Sequence, residues 1–346
     1  MPAPTSPSRI LIIRLSAFGD VVIATSLLHG LKRAFPTAQI DWLVQPELAS
    51  VLQTETAIHQ VFTWPRKHWG QLWRSLRWLT LWRTVRAFSA SLRARDYDLV
   101  VDAQGLLKSR VLAHLAGGRW RIGYASKEPL GFLLHQLVTR DPEAHPRRRF
   151  IGDEHAPMLH ALTGQREVIP ALTPPHATIP GDAIVLAPFT TRPQKHWPDA
   201  HWRALIAQLL ADGHRLTMLG GPADQEAAAR LLEGFEAQAI GNQVGRTRLP
   251  EALALIAAAR LVIGVDTGLT HAGFALGRPT LALFGSTRPY AAAREAHSQV
   301  LFIDLPCAPC GRKPTCGGAF TCLQALTPAQ VRRAVQTVTA LHRVLP

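Results

Sequence analysis

The chain has 346 residues, 47% hydrophobic and 18% charged, which leaves room for two ordinary domains with real cores and excludes a disordered polyelectrolyte. Thirty-eight Lys and Arg against 24 Asp and Glu give a formal net charge of +14, which favours an anionic partner: a phosphorylated lipid, a polyanionic sugar or a nucleic acid. No apolar run reaches the length of a bilayer span and the opening MPAPTSPSR lacks an apolar signal core, so the expected location is the cytoplasm or its membrane surface.

Residues 9–15 (RILIIRL) have the continuous apolar pattern of a strand buried on both faces. A turn at Ser16-Ala17-Phe18-Gly19-Asp20 follows, then helical apolar spacing over 21–35. The turn lacks the G-x-G-x-x-G spacing, which disfavours a dinucleotide site. Further strands are expected at 40–44, 61–64, 98–101 and 121–124, and Asp102-Ala103-Gln104-Gly105 leads into a helix from Leu106. Strands alternating with helices imply a parallel α/β domain over residues 1–170.

Residues 64–88 interleave Trp64, Trp69, Trp73, Trp78 and Trp82 with Arg66, Lys67, Arg74, Arg77, Arg83 and Arg86. Taken as one helix, the segment has Trp69, Leu72, Trp73 and Leu76 on one side. That stripe suits either packing into the first domain or the interface of a membrane. Aromatics with Arg also suit single-stranded nucleic acid, but no nucleic-acid motif accompanies them.

A stretch with Pro170, Pro174, Pro175 and Pro180 precedes a second alternation over 171–326. Its strands are expected at 183–187, 216–219, 261–265 and 280–284, with helices starting near Asp199, Ala223, Pro250 and Leu269. The strand LVIGV at 261–265 feeds a helix through Asp266-Thr267-Gly268. Free N–H groups at such a helix N-terminus attract an anion, Thr267 adds a hydroxyl and Gly268 lets a ligand come close. The same residues suit an ordinary cap. A last amphipathic helix, 327–346, starts on a Thr-Pro pair.

All four cysteines fall within sixteen residues: Cys307, Cys310, Cys316 and Cys322. The spacing is that of a local cluster in a reducing compartment, suited to four thiolates on a structural zinc or iron, to free thiols or to disulfides, with Arg312 and Lys313 close by.

RLSAFGDV at 14–21, DAQGLLKS at 102–109, KHWP at 195–198 and DTGLTH at 266–271 together resemble the bacterial lipopolysaccharide heptosyltransferases, inverting glycosyltransferases of family 9. The resemblance spans residue 9 to the last helix. It implies a GT-B fold: two Rossmann-like parallel-sheet domains facing a cleft, with the terminal helix packing back toward the first domain. The implied activity is transfer of L-glycero-D-manno-heptose from ADP-heptose to the Kdo/heptose inner core of lipopolysaccharide, at the cytoplasmic side of the inner membrane. The expected partners are ADP-heptose, Kdo-lipid A or a core acceptor, and the inner-membrane surface; no nucleic acid is expected. DAQGLLKS and Lys127-Glu128-Pro129 look like heptosyltransferase I, whereas the cysteine cluster looks like heptosyltransferase II and the autotransporter heptosyltransferases. The competing readings are a heptosyltransferase acting on the heptosyl core or a protein, and a non-catalytic anionic-lipid or nucleic-acid binder on the same fold.

By that resemblance Asp20 is the general base, although it also suits a helix cap. Lys195 offsets charge on the departing diphosphate. Thr190, Thr191, Thr267 and Gly268 add donors to the same phosphates, and Asp266 binds the donor sugar. Asp224 takes the ribose. His271 either contacts phosphate or orders the turn. Ser16, Gly19, Lys108, Arg121 and Lys127 face the acceptor, with Arg66, Lys67 and Arg119 as further cationic candidates. No catalytic metal is expected.

Overall fold

The computed structural model describes residues 4–140, 150–175, 181–236, 238–287, 290–311 and 313–344; Pro180, Arg312 and residues 345–346, to which the last helix was expected to run, lie outside the described residues. The chain divides into two compact units. The first is Met1–Asp141 with Gly152–Pro170, and the second is Pro142–Ile151 with Ala171–Pro346.

The first unit runs β1 (Arg9–Ile13), α1 (Phe18–Ala34), β2 (Gln39–Val44), a one-turn α2 (Ala49–Leu52), β3 (Gln60–Thr63), α3 (Arg66–Arg74) and α4 (Trp78–Arg93). It continues through β4 (Leu99–Asp102), α5 (Leu107–Ala116), β5 (Trp120–Tyr124), β6 (Gln136–Val138) and α6 (Ala156–Thr163). Its strands form one parallel sheet in the order β3-β2-β1-β4-β5-β6. β1 lies at the centre, which is why Ile10 to Ile13 are apolar without alternation and fully buried. Strand order reverses between β1 and β4, so the loops leaving their C-terminal ends border a crevice suited to a ligand.

The Trp-rich segment is not one helix. It is two, α3 and α4, joined at Leu76, whose φ of 55° is left-handed. Ser75 ends α3 by turning its hydroxyl back to the Gln71 and Leu72 carbonyls. The apolar stripe is split accordingly. Leu72 is buried and Trp69 packs on the core, but Trp73 and Leu76 face solvent.

The second unit runs β7 (Ile184–Ala187), α7 (Asp199–Ala211), β8 (Leu216–Met218), α8 (Gln225–Leu232), β9 (Ile240–Asn242) and α9 (Leu249–Ala258). β10 (Leu261–Val265), α10 (Gly268–Ala275), β11 (Thr280–Phe284), β12 (Gln299–Phe302), α11 (Thr321–Gln324) and α12 (Pro328–Val344) complete it. The sheet is parallel in the order β12-β11-β10-β7-β8-β9, reversing between β10 and β7. α12 packs on α7, burying Val331, Val335 and Val338 in the core of this unit. Arg332 holds Asp212 at 2.5 Å, and the Trp197 indole donates to the Leu326 carbonyl at 2.7 Å.

Candidate active site

In the first unit, the site grows from the end of β1. Arg14 follows the strand and is buried, with Nη1 donating to the Ala103 carbonyl at 2.7 Å and Nη2 lying 2.8 Å from Asp20 Oδ2. The Ala17 N–H donates to the same oxygen at 3.2 Å, so Asp20 does close the first turn of α1. Among the described residues nothing pairs with Asp20 Oδ1, and the side chain is about half exposed. One carboxylate oxygen is thus fixed by the protein, while the other is left able to accept a proton.

The turn after β4 supports this arrangement. The Gln104 side chain accepts from the Leu15 N–H at 2.8 Å. The fully buried Asp102 accepts from the N–H groups of Gln104 and Gly105 at 3.0 and 2.9 Å. Burial nevertheless outweighs these donors and raises the Asp102 carboxyl above its ordinary range. DAQG is therefore a brace between two strand ends. Arg14 and Gln104 were not among the residues expected at the site, although both stand in the motifs RLSAFGDV and DAQGLLKS, one and two positions past the C-terminal ends of β1 and β4.

Ser16 and Gly19 lie in the same turn as Asp20, and Lys108 sits in the first turn of α5. Burial, then the nearby charges of Arg66 and Arg14, lowers the Lys108 ammonium from its ordinary value. Lys127 is exposed in the loop after β5, beside Ser126, whose hydroxyl donates to the Gly105 carbonyl. Arg121 does not join them. It opposes Val100 within the sheet, and its guanidinium is spent on the Leu133 and Gly118 carbonyls. Arg119 is paired with Asp96 and Asp98. Arg66, Lys67 and Arg74 line a groove of about 990 Å³ beside Gln45 and Trp73, where Lys67 pairs with Glu47 at 2.6 Å.

In the second unit, Asp266 is the hub. It directly follows β10, is buried, and holds Lys195 Nζ at 2.5 Å on Oδ2, where the Thr287 hydroxyl also donates. His271 Nε2 lies 3.3 Å from Oδ1, and His271 Nδ1 is 3.2 Å from the Tyr290 hydroxyl. Burial alone raises such a carboxyl, but His271 and Lys195 outweigh it and hold Asp266 well below the usual range. Tyr290 is driven the other way by burial and by the Asp266 and Glu295 charges. His271 therefore orders the turn from within the core. Thr287 and Tyr290 were missed by the sequence reading.

Thr267 is the N-cap of α10 in extended conformation, and its side chain makes no cap bond, so the first N–H groups of the helix stay available. The helix sits close on its strand: the Thr270 hydroxyl donates to the Val265 carbonyl at 2.6 Å, and a Cβ on Gly264 would strike it. Thr190 and Thr191 follow β7, and the His196 ring holds the Thr190 carbonyl at 2.7 Å. Asp224 closes the turn after β8 on the Gly221 N–H at 2.8 Å. All of these lie past the C-terminal ends of β7, β8, β10 and β11.

The thiols do not assemble. All four cysteines are free, and among the described residues no three metal-ligating side chains come together. Cys322 is buried in the core with its sulfur against Gly285, Cys316 accepts from the Phe320 N–H, and Cys307 is exposed. The arrangement does not fit a tetrathiolate centre, and no step is assigned to a metal.

Residues 85–150 and 160–318 match the model of glycosyltransferase family 9 (heptosyltransferase). Lipopolysaccharide heptosyltransferase 1 of Pseudomonas aeruginosa is 34% identical over 331 residues, covering 89% of this chain and 87% of its own. Lipopolysaccharide heptosyltransferase 2 of Escherichia coli is 28% identical over 303 residues, covering 81% and 84%. The structure of E. coli heptosyltransferase WaaC with ADP-2-deoxy-2-fluoro heptose superposes with a TM-score of 0.72 at 27% identity, covering 95% of this chain and 99% of that one. The α/β fold is that of the GT-B heptosyltransferases, and identity favours the heptosyltransferase 1 branch over heptosyltransferase 2. The chain belongs to glycosyltransferase family 9, the heptosyltransferases, and is a glycosyltransferase.

Proposed function

We propose that this enzyme moves L-glycero-D-manno-heptose from ADP-heptose to Kdo of the lipopolysaccharide inner core, with inversion at the anomeric carbon. The observation that carries the reading is the Asp266 hub: a buried carboxylate that fixes the Lys195 ammonium beside the open N-terminus of α10. A fixed cation and free N–H groups together suit a diphosphate better than either alone. The second unit then binds the donor, with Thr190, Thr191, Thr267 and Gly268 adding donors and Asp224 turned to the ribose.

The first unit takes the acceptor. Asp20 Oδ1 accepts the proton of the attacking hydroxyl as its oxygen bonds to the anomeric carbon. The bond from that carbon to the β-phosphate oxygen breaks with its electron pair going to ADP, where Lys195 offsets the charge. Ser16, Gly19, Lys108 and Lys127, with Arg66 at the adjoining groove, contact the acceptor's carboxylates and phosphates. The acceptor is a membrane lipid, so the enzyme works peripherally at the cytoplasmic face of the inner membrane; among the described residues no helix is long and apolar enough to cross it.

The test is ADP release from ADP-heptose with Kdo2-lipid A, wild type beside Asp20→Ala. Acceptor-dependent release that collapses in the variant supports the donor, the acceptor and the base together. Release that survives the substitution removes Asp20 from the mechanism. ADP-heptose binding without release points to another acceptor.

A further inference from the structure

The hairpin of α3 and α4 stands on the first unit by its base. Leu72 and Leu92 are buried there, Trp69 meets Phe88 edge-on at 5.4 Å, and the Ser89 hydroxyl donates to the Leu115 carbonyl at 2.7 Å. Its tip is left bare. Leu76 is 70% exposed, Leu79 75% and Trp82 57%, with Trp73 and Trp78 exposed beside them. Single exposed apolar residues are ordinary, but five large ones within ten positions make a patch that calls for an occupant. Leu76 holds a left-handed φ of 55° at the turn, where glycine is the unstrained choice, so an apolar side chain crowns the tip at a backbone cost.

Charge identifies the occupant. From Thr56 to Arg95 the chain has eight Lys and Arg and no Asp or Glu. Arg77, Arg83 and Arg86 are exposed around the tip, and the Arg86 guanidinium lies 5.2 Å from the Trp82 ring centre. A second copy of the chain would bring like charges together, whereas an anionic bilayer meets both the cations and the apolar crown.

We propose that the α3–α4 hairpin is an interfacial anchor that sets Leu76, Leu79 and Trp82 among the acyl chains of an anionic bilayer, with Arg77, Arg83 and Arg86 on the headgroups. The inference builds on the reading of a lipid-borne acceptor, but bilayer binding is measured without sugar transfer, so the two fail separately.

The experiment is flotation of the full chain with vesicles of phosphatidylethanolamine and phosphatidylglycerol, and with neutral phosphatidylcholine vesicles. Wild type is expected to float with the anionic vesicles only. Leu76→Ser/Leu79→Ser/Trp82→Ser, all exposed and outside the site, should weaken that binding by about tenfold or more while ADP-heptose binding is unchanged. Arg77→Glu/Arg83→Glu should abolish the preference for anionic lipid. The proposal is overturned if the triple variant floats like wild type, or if wild type floats with neither vesicle. It is also overturned if the tip substitutions abolish a dimer or oligonucleotide binding while bilayer binding stays as it was.

Discussion

Lys195 and Asp266 meet at 2.5 Å across two separate strand ends, both side chains nearly closed to solvent. Removing one member of such a pair leaves a buried charge undercompensated. Lys195→Met should cost about 3 kcal/mol in urea denaturation and weaken ADP binding. Lys195→Met/Asp266→Leu should recover much of the stability but none of the affinity. Recovery of both would make the pair an ion bridge with no role in the donor site.

Two carboxylates give opposite pH signatures. Asp266 is held below the usual range, so its contribution to stability is complete above the unfolded value near 3.9 and drains away as pH falls below that. Asp102 is raised by burial, so its protonated form favours folding at low pH, and that contribution is lost as pH rises from about 3.9 through its folded value. Asp266→Asn should flatten the acid limb of a stability–pH curve. Asp102→Asn, which keeps an oxygen for the Gln104 and Gly105 N–H groups, should flatten the decline on raising pH. Identical curves for wild type and both variants would refute the assignments.

Arg14 fixes one oxygen of Asp20, so it is a positioning residue for the proposed base. Arg14→Met should lower kcat by about a hundredfold, the scale of general-base catalysis, with the ADP-heptose dissociation constant unchanged. Arg14→Lys should restore part of it. A change confined to donor affinity would rule the role out.

Gly264 tests how closely α10 must sit on its strand. A Cβ there would collide with the Thr270 hydroxyl and come within 2.9 Å of Ala187 Cβ. Gly264→Ala should destabilise the second unit by about 1–3 kcal/mol and weaken ADP binding by displacing the α10 N-terminus. Thermal melting with and without ADP reads both.

The central strands were plain in the sequence because burial on two faces demands uninterrupted apolar runs, as in RILII and LVIGV. The strands that escaped, β6, β9 and β12, all lie at sheet edges. They are short and only partly buried, so they need neither alternation nor an apolar run. The break at Leu76 was equally silent, since no glycine or proline marks it and a serine back-bond ends the helix. At the site, motif residues were found by spelling, whereas Thr287 and Tyr290 lie outside the motifs, and Arg14, though it opens RLSAFGDV, acts through contacts made only after folding. Arg121, expected at the acceptor from its charge, has its guanidinium on backbone carbonyls, a pairing that sequence does not announce.

Every strand in both sheets pairs in parallel, and this has a cost during synthesis. Ile10 must wait for Leu99 before β1 gains its second neighbour. At a ribosomal pace of about 5–20 residues per second, that wait lasts roughly five to twenty seconds. Through it, a strand apolar from Ile10 to Ile13 presents an open edge to whatever else is in the cell. A nascent chain of this design carries its aggregation hazard early, before any sugar or nucleotide has a site to enter.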